Sequence, residues 1–462
     1  MTQNTSQRIS VEQAHDADPN LEALRERAAR MVDSRLSEGV FRVDRSIYTD
    51  EELHELEVKN IFEKDWVFLC HESQIPNPGD YYSTLIGRQP VLVIRDKDGT
   101  INAFINACAH RGALLTERRQ GNATTLRCRF HGWCFNTQGK CVRVKNEKTG
   151  WPDGVDKSAM GLKHIGQVGS YRGFVFGSLV AEVPTLEEHL GEAKVFIDML
   201  ADQSPEGIEV IGGYSDYVIR GNWKMQAENG VDGYHVSTVH RVFADTVAQR
   251  ETRQGRDGMA KTEAGRIAGI VPTGCYDLDG GHMVIWAERA TPEVGPLWEA
   301  REELLTRVSE EQVNWMVGRG RNLLVFPNVL FMDQPSTQIR IFRPLSVDRT
   351  LVTVYCIAPK GESAEARTAR IRKFEDFYMV TGMATPDDLA ALEDCQTGAR
   401  GEAARWTDVT RGLSSMIEGP DEDAKAIGLN PVSSNNDWDF ETLYYSFYRK
   451  WLKQMTGKGE IN

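Results

Sequence analysis

With 462 residues and a 40% hydrophobic composition, the chain is long enough to bury a large core and to divide into two or three domains. Its formal net charge of −13 argues against nucleic acid or an anionic membrane surface as a partner. No apolar run approaches the roughly 18 residues of a membrane span, and Met1 to Asn20 is polar and acidic, without the basic-then-apolar pattern of a signal peptide. Eight cysteines lie at 70, 108, 128, 134, 141, 275, 356 and 395, with no framework spacing outside the 108–141 window. A cytoplasmic setting with free thiols is therefore expected.

Residues 1 to 20 read as a loosely held lead. Leu21 to Leu36 has helical spacing (Leu21, Leu24, Ala28, Met31), and Glu51 to Phe62 predicts a second short helix. From Trp66 to Leu69 onward the hydrophobic period becomes two. Tyr81 to Ile86, Pro90 to Arg95 and Ile101 to Asn106 are predicted strands, the last two joined by a turn at Asp96 to Gly99. Thr124 to Arg127, Gly139 to Val144 and Tyr171 to Leu179 complete a β-rich region over 62–180. A short acidic helix is expected over Leu186 to Asp202. Beyond it the pattern is mixed: a strand over Ile208 to Arg220, a helix over Trp223 to His240, and a charged helix over Pro296 to Arg319. Leu323 to Phe331, Thr337 to Pro344 and Leu351 to Ala358 predict antiparallel strands, and Ser363 to Met383 and Phe440 to Lys458 predict helices. Residues 245 to 290 are Gly-rich and carry little pattern.

Chemistry concentrates first at Cys108-Ala109-His110 and Cys128-Arg129-Phe130-His131, two hooks that each offer one thiol and one imidazole. Soft anionic sulfur paired with neutral nitrogen suits a metal centre with two unlike ends. A [2Fe–2S] cluster of the Rieske type takes two Cys on one iron and two His on the other. A structural zinc site is the rival reading, but zinc modules usually group Cys with Cys and His with His. A Cys108–Cys128 disulfide is a weaker alternative in a chain expected to keep its thiols free. Gly112 and Gly132 allow tight turns, and Trp133 a covering ring.

The second cluster lies in Glu228-Asn229-Gly230-Val231-Asp232-Gly233-Tyr234-His235-Val236-Ser237-Thr238-Val239-His240. On an ideal helix His235 and His240 diverge by about 140°, so the helix must bulge or break for both to reach one metal. Histidines five apart are by themselves a weak signal. A one-electron carrier in the same chain, however, implies an acceptor, and non-haem Fe(II) held by two His and one carboxylate leaves positions open for O2.

Taken together, these strings resemble the large (α) subunit of the Rieske non-haem iron aromatic-ring-hydroxylating dioxygenases, over about Val43 to Gly412. Ile61-Phe62-Glu63, His71-Glu72-Ser73, Phe331-Met332-Asp333-Gln334 and Gly382-Met383-Ala384-Thr385-Pro386-Asp387-Asp388-Leu389 place the likeness in the benzoate, 2-halobenzoate and anthranilate 1,2-dioxygenase branch. The resemblance implies an α+β chain: an all-β Rieske domain over 62–180, and an α/β catalytic domain over 181–462 built on a large antiparallel sheet of the helix-grip, START-like kind. An N-terminal helical segment, 1–61, would pack with the catalytic domain. The resemblance also implies the third iron ligand, Asp388, with Asp387 as the alternative. Thr385 as N-cap and Pro386 at the first helical position would start the helix that carries it.

The same likeness implies that Asp232 bridges His235 to the cluster ligand His131 of a neighbouring subunit, which makes an α trimer necessary for turnover. Its further implications are an aromatic carboxylate and O2 as substrates, a small β subunit in a hetero-hexamer, and an NADH-dependent reductase, with or without a ferredoxin. No GxGxxG follows a strand here, so electrons from NADH need that separate protein. Met225, Asn229, Val231, Phe331 and Tyr378 are expected to line the pocket, and Arg340, Arg343 or Arg319 to hold the carboxylate. Two other functions compete: a Rieske monooxygenase or O-demethylase on a related acid, and a pure Rieske electron carrier.

Overall fold

The computed structural model describes residues 19–151, 153–254, 271–334 and 336–457. The expected N-terminal lead lies almost wholly outside them. The chain divides into two compact units, one comprising Val58–Leu186 and the other Pro19–Glu57 together with the residues from Glu187 onward.

The first unit is built from three small antiparallel sheets joined by short turns. Ile101–Ile105, Gln89–Arg95, Asp80–Ile86 and Gln120–Asn122 form one, and Cys141–Arg143, Cys134–Asn136 and Thr125–Arg127 a second. Gln167–Tyr171, Phe174–Ser178 and Val67–His71 form the third. The first two sheets close on a core that includes Leu92, Ile94, Phe104, Leu126, Trp133 and Phe135. Cys108 and Cys128 belong to this core, so both sulfurs are anchored in its apolar interior.

The second unit centres on an antiparallel sheet in which Ile208–Val210, Arg349–Pro359, Gln338–Ser346, Val329–Met332, Arg319–Val325, Met283–Glu288, Thr273–Asp277, Ser433–Asn435 and Ile417–Glu418 follow one another. Ser215–Ile219 also pairs with Arg349–Pro359. Helix Trp223–Asn229 packs on Gln338–Ser346, and helix Ala364–Tyr378 on Arg349–Pro359. This is the expected α+β class with a large antiparallel sheet.

Several predicted elements divide, each for a local reason. The helix expected over Trp223 to His240 ends at Asn229 and resumes only as the single turn Val236–Val239, followed by Arg241–Gln254. In the gap, a Cβ on Gly230 would sit 2.3 Å from Leu330, and one on Gly233 would sit 2.4 Å from the Trp438 ring. Tertiary packing therefore requires bare backbone where the helix breaks. The strand expected over Leu323 to Phe331 is a hairpin, Arg319–Val325 against Val329–Met332, turning at Pro327 and Asn328. The charged helix over Pro296 to Arg319 is also interrupted: Ser309 and Gln312 form a capping box that starts a new helix, Glu310–Gly318. The helix expected over Ser363 to Met383 stops at Tyr378. The poorly patterned region beyond 245 supplies two central strands, Thr273–Asp277 and Met283–Glu288.

Two candidate metal centres

The first centre consists of two loops folded alike. Cys108 N–H donates to Ala113 O at 2.9 Å and Gly112 N–H to Cys108 O at 2.9 Å. Cys128 N–H donates to Trp133 O at 2.8 Å and Gly132 N–H to Cys128 O at 2.9 Å. Gly112 (φ 73°) and Gly132 (φ 74°) hold the left-handed position that closes each loop, where a side chain would be strained. Both cysteines are buried, whereas His110 is exposed and His131 half-buried. The two imidazole Nδ1 atoms lie 3.1 Å apart. His110 stacks on Trp133 with centroids 4.8 Å apart and planes 9° from parallel. Burial pushes the Cys108 thiol up, while the backbone N–H groups of His110 and Arg111 favour its thiolate. The donor set therefore has a sulfur end in the core and a nitrogen end at the surface.

The second centre sits at the helix break. His235 caps the turn Val236–Val239 and His240 follows it. Asp388 lies in the first turn of helix Thr385–Gly398. His235 Nε2 and His240 Nε2 are 3.2 Å apart, and Asp388 Oδ1 is 3.4 Å from the first and 3.3 Å from the second. A point equidistant from three such atoms lies roughly 1.9 Å from each, close to the 2.0–2.2 Å typical of nitrogen and carboxylate oxygen on a first-row divalent ion. Asp387 is outside this group. Thr385 is not the N-cap expected from sequence: Ala384 holds that position, and the Thr385 hydroxyl instead donates to Tyr378 O at 3.0 Å, tying the loop before the helix to the one that ends there.

Burial opposes a charge on His235, but Asp232 and Asp388 outweigh it and raise its pKa. Burial likewise opposes ionisation of Asp388, and His240 and His235 more than offset it. Asp232 Oδ2 lies 3.2 Å from His235 Nδ1, on the side of the ring away from the other two donors. That leaves both Nε2 atoms and one carboxylate oxygen converging.

A cavity opens beside this group. Its walls include Ile285, Met332, Phe377, Tyr378 and Trp438, with Asn229 and Arg340 among the polar residues. Arg340 is 3% exposed, and its guanidinium lies 5.6 Å from the Tyr378 ring. Among the described residues it forms no ion pair and its Nε has no hydrogen-bond partner, although its charge helps to lower the pKa of the Asp388 carboxyl. Other buried arginines are committed: Arg321 pairs with Asp333, and Arg370 with Glu362.

Of the residues expected in the pocket, Asn229, Tyr378 and Arg340 line it. Met225 lines an adjoining cavity instead, and Val231 is fully buried and lines neither. Phe331 lines a separate pocket with Phe196, Leu200 and Arg321, and its neighbour Met332 borders both that pocket and the cavity. Arg319 is held between Trp286 and Trp315 and paired with Glu288 and Asp423, and Arg343 lies outside the cavity beside Thr353. Phe243, Phe377 and Trp438 were not foreseen. The first two belong to otherwise ordinary helical patterns, and Trp438 arrives from some 200 residues downstream, beyond any local signal.

The donor sets fit the groups that known proteins carry at such sites. Residues 65–165 match the Rieske [2Fe-2S] domain, and residues 209–457 the catalytic domain of the ring-hydroxylating α subunits. The chain is 48% identical to toluate 1,2-dioxygenase subunit alpha of Pseudomonas putida, covering 92% of this chain and 93% of that one. It is 44% identical to the 2-halobenzoate 1,2-dioxygenase large subunit of Burkholderia cepacia, covering 94% and 93%. The fold superposes on naphthalene 1,2-dioxygenase from Rhodococcus sp. bound to indole with a TM-score of 0.79, at 25% identity over 96% of this chain and 99% of that one. Buried thiols beside outward imidazoles suit a Rieske cluster, and two imidazoles with one carboxylate suit a mononuclear non-haem iron. The chain belongs to the Rieske-type ring-hydroxylating dioxygenase α subunits.

Proposed function

We propose that this chain is the terminal oxygenase subunit that adds both atoms of O2 to the ring of a benzoate-like carboxylate, giving a cis-1,2-diol, with electrons passed from NADH by a separate reductase. The toluate and 2-halobenzoate dioxygenase relatives support the reaction class. Arg340 carries the carboxylate part of the reading. A buried guanidinium with no anionic partner is costly, and a ligand carboxylate bound in bidentate fashion would relieve that cost. Around it the aromatic and aliphatic walls suit a ring.

On this reading Cys108, Cys128, His110 and His131 would hold the cluster, with two thiolates for one iron and two imidazoles for the other. His235, His240 and Asp388 would hold the mononuclear iron. What iron supplies when bound is one-electron chemistry with O2, which side chains lack. The chain does the rest. Arg340 fixes the carboxylate, and thereby the ring edge presented to His235, His240 and Asp388. Phe377, Tyr378 and Trp438 exclude water. Asp232 keeps the proton on His235 Nδ1, so that Nε2 remains a lone-pair donor.

Asp232 also bridges to His131 of a neighbouring subunit in an α trimer. The half-buried His131 and the 30% exposure of the Asp232 side chain support that role, since each can be reached from outside its own chain. A small β subunit completes a hetero-hexamer, and a ferredoxin can intervene between reductase and cluster. The test is turnover of the reconstituted system with isotopically labelled O2 and benzoate, toluate, 2-chlorobenzoate, anthranilate or salicylate. A cis-diol carrying two labelled oxygens is expected. One labelled oxygen per product would favour the monooxygenase or demethylase reading, and no oxygen uptake with any aromatic acid would refute the proposal.

A further inference from the structure

Ring dihydroxylation consumes two electrons and two protons per O2 when both oxygens end as hydroxyls. On the reading above the electrons come from the separate reductase. The protons must reach a site whose His240 and Asp388 are buried. Glu228 lies on the helix Trp223–Asn229, one residue before Asn229. The Tyr48 hydroxyl is 3.0 Å from its Oε1 and 3.3 Å from its Oε2, and the Tyr448 hydroxyl donates to Oε1. The two hydroxyls are themselves 2.7 Å apart. Both tyrosines are buried, at 6% and 1% exposure, and come from opposite ends of the chain. Neither metal holding nor carboxylate binding uses any of the three.

Half-buried Glu228 also borders a cavity of about 480 Å³ that reaches Asn229, Asp232, His235 and Asp388. A space of that size with several polar walls holds water. We propose that Glu228, clasped by Tyr48 and Tyr448, is a proton-holding group that supplies the oxygen site through water in this cavity and is reloaded from solvent. The Glu228 O–H bond breaks as a cavity water takes the proton, and that water passes a proton on to oxygen destined for the diol. The remaining carboxylate is held by the two tyrosine hydroxyls until solvent reprotonates it. The proposal rests on the oxygenase reading above.

Removal from water pushes Glu228 up to about 7, against the pull of the Tyr448 and Tyr48 hydroxyls and Lys224, while Asp232 adds to the rise. Tyr444, Glu441 and Cys395 face the same region from the C-terminal segment and from helix Thr385–Gly398, and Arg45 from the N-terminal turn. Near neutral pH both protonation states are populated, as a donor reloaded each cycle requires. A purely structural clasp would need neither the cavity nor that balance.

The test is Glu228→Gln in the intact iron-loaded protein. The variant should keep its iron content and cluster absorption but lose an infrared carboxylic-acid band that titrates near pH 7 in the wild type. Product formation in a single turnover of pre-reduced enzyme should fall roughly tenfold or more. It should also lose the decline that the wild type shows as pH rises through about 7. A wild type with no carboxyl titrating in that range, or a variant with an unchanged pH profile, would overturn the proposal. Should Glu228→Gln fail to fold, Tyr448→Phe removes a hydroxyl that favours the carboxylate, so the band's midpoint must rise; an unmoved midpoint would also overturn it. Because the band is read without turnover, a titrating band in a protein that oxygenates no aromatic acid would instead count against the oxygenase reading.

Discussion

Arg340→Met separates ligand binding from fold stability more sharply than any other single change. The guanidinium is 3% exposed on the central strand Gln338–Ser346, faces the cavity beside His235 and Asp388, and has no anionic partner among the described residues. Removing one member of a buried, hydrogen-bonded charge pair costs about 2–5 kcal/mol. The affinity for benzoate should therefore fall roughly 30-fold to several thousand-fold, at about 1.4 kcal/mol per tenfold. In the ligand-free protein the effect should reverse. Replacing a buried charge that forms no ion pair with an apolar chain of similar length relieves a desolvation penalty that its longer-range attraction to Asp388 offsets only in part, so the melting temperature should hold or rise. Calorimetric titration with benzoate and thermal unfolding with and without ligand measure both quantities. Methionine that leaves benzoate affinity intact, or that lowers the ligand-free melting temperature as the loss of a structural ion pair would, refutes the reasoning.

Four further outcomes follow from the same geometry. Replacing His235 and His240 together with alanine should lower iron from about three to about two per chain while the visible absorption of the cluster persists, as iron analysis and spectroscopy would show. Asp232→Ala should leave both metals bound yet abolish electron transfer in a single turnover; normal turnover would remove the bridging role. Gly233→Ala places a Cβ 2.4 Å from the Trp438 ring and should cost about 1–3 kcal/mol in chemical unfolding, with weakened iron retention. Lys224→Met strands Glu57, whose oxygens otherwise accept from Lys224 Nζ at 2.5 Å, Trp451 Nε1 at 2.6 Å and Trp223 Nε1 at 2.8 Å, and should cost about 3–5 kcal/mol. In the wild type burial opposes ionisation of Glu57, but Lys224 leads the groups that hold it at about 2. A carboxyl depressed in the fold stabilises above its unfolded value of about 4.3, and that contribution is lost as pH falls toward 2, so acid titration of stability should show it.

The cluster hooks were legible because every determinant is local: ligand, spacing and turn glycine lie within a few residues of each other. The iron site was legible only in part. Helical geometry predicts a bulge or break between His235 and His240, but Val236–Val239 between them is a helical turn and the break falls before His235, at a place set by Leu330 and Trp438, which no nearby residue announces. The phase of the strand Val329–Met332 was unreadable because all four residues are buried, so hydrophobicity does not distinguish Phe331 from Met332. Choosing among Arg319, Arg340 and Arg343 required knowing which had found partners, a tertiary fact. Glu228 and its tyrosines were invisible for the same reason: Tyr48 lies 180 residues from Glu228 and 400 from Tyr448.

At each centre the anionic donors are buried and an imidazole is the most accessible donor: Cys108 and Cys128 lie behind His110 and His131, and Asp388 and His240 behind His235. Burying the charged donor is tolerable because backbone N–H groups or a metal compensate it, while a neutral ring at the surface can be approached without stranding a charge. Asp232 fits this arrangement on a count of lone pairs. Its Oδ1 accepts from Tyr234 N–H at 2.7 Å and its Oδ2 lies 3.2 Å from His235 Nδ1. A carboxylate has about four acceptor positions, so about two remain on a side chain open to the outside. An incoming imidazole N–H can use one of them. Asparagine would keep a single oxygen, and whichever way it turned, its NH2 would meet the His235 N–H or the Tyr234 N–H. Asp232→Asn should therefore impair electron transfer nearly as much as Asp232→Ala, whereas a group needed only for its shape would tolerate the amide.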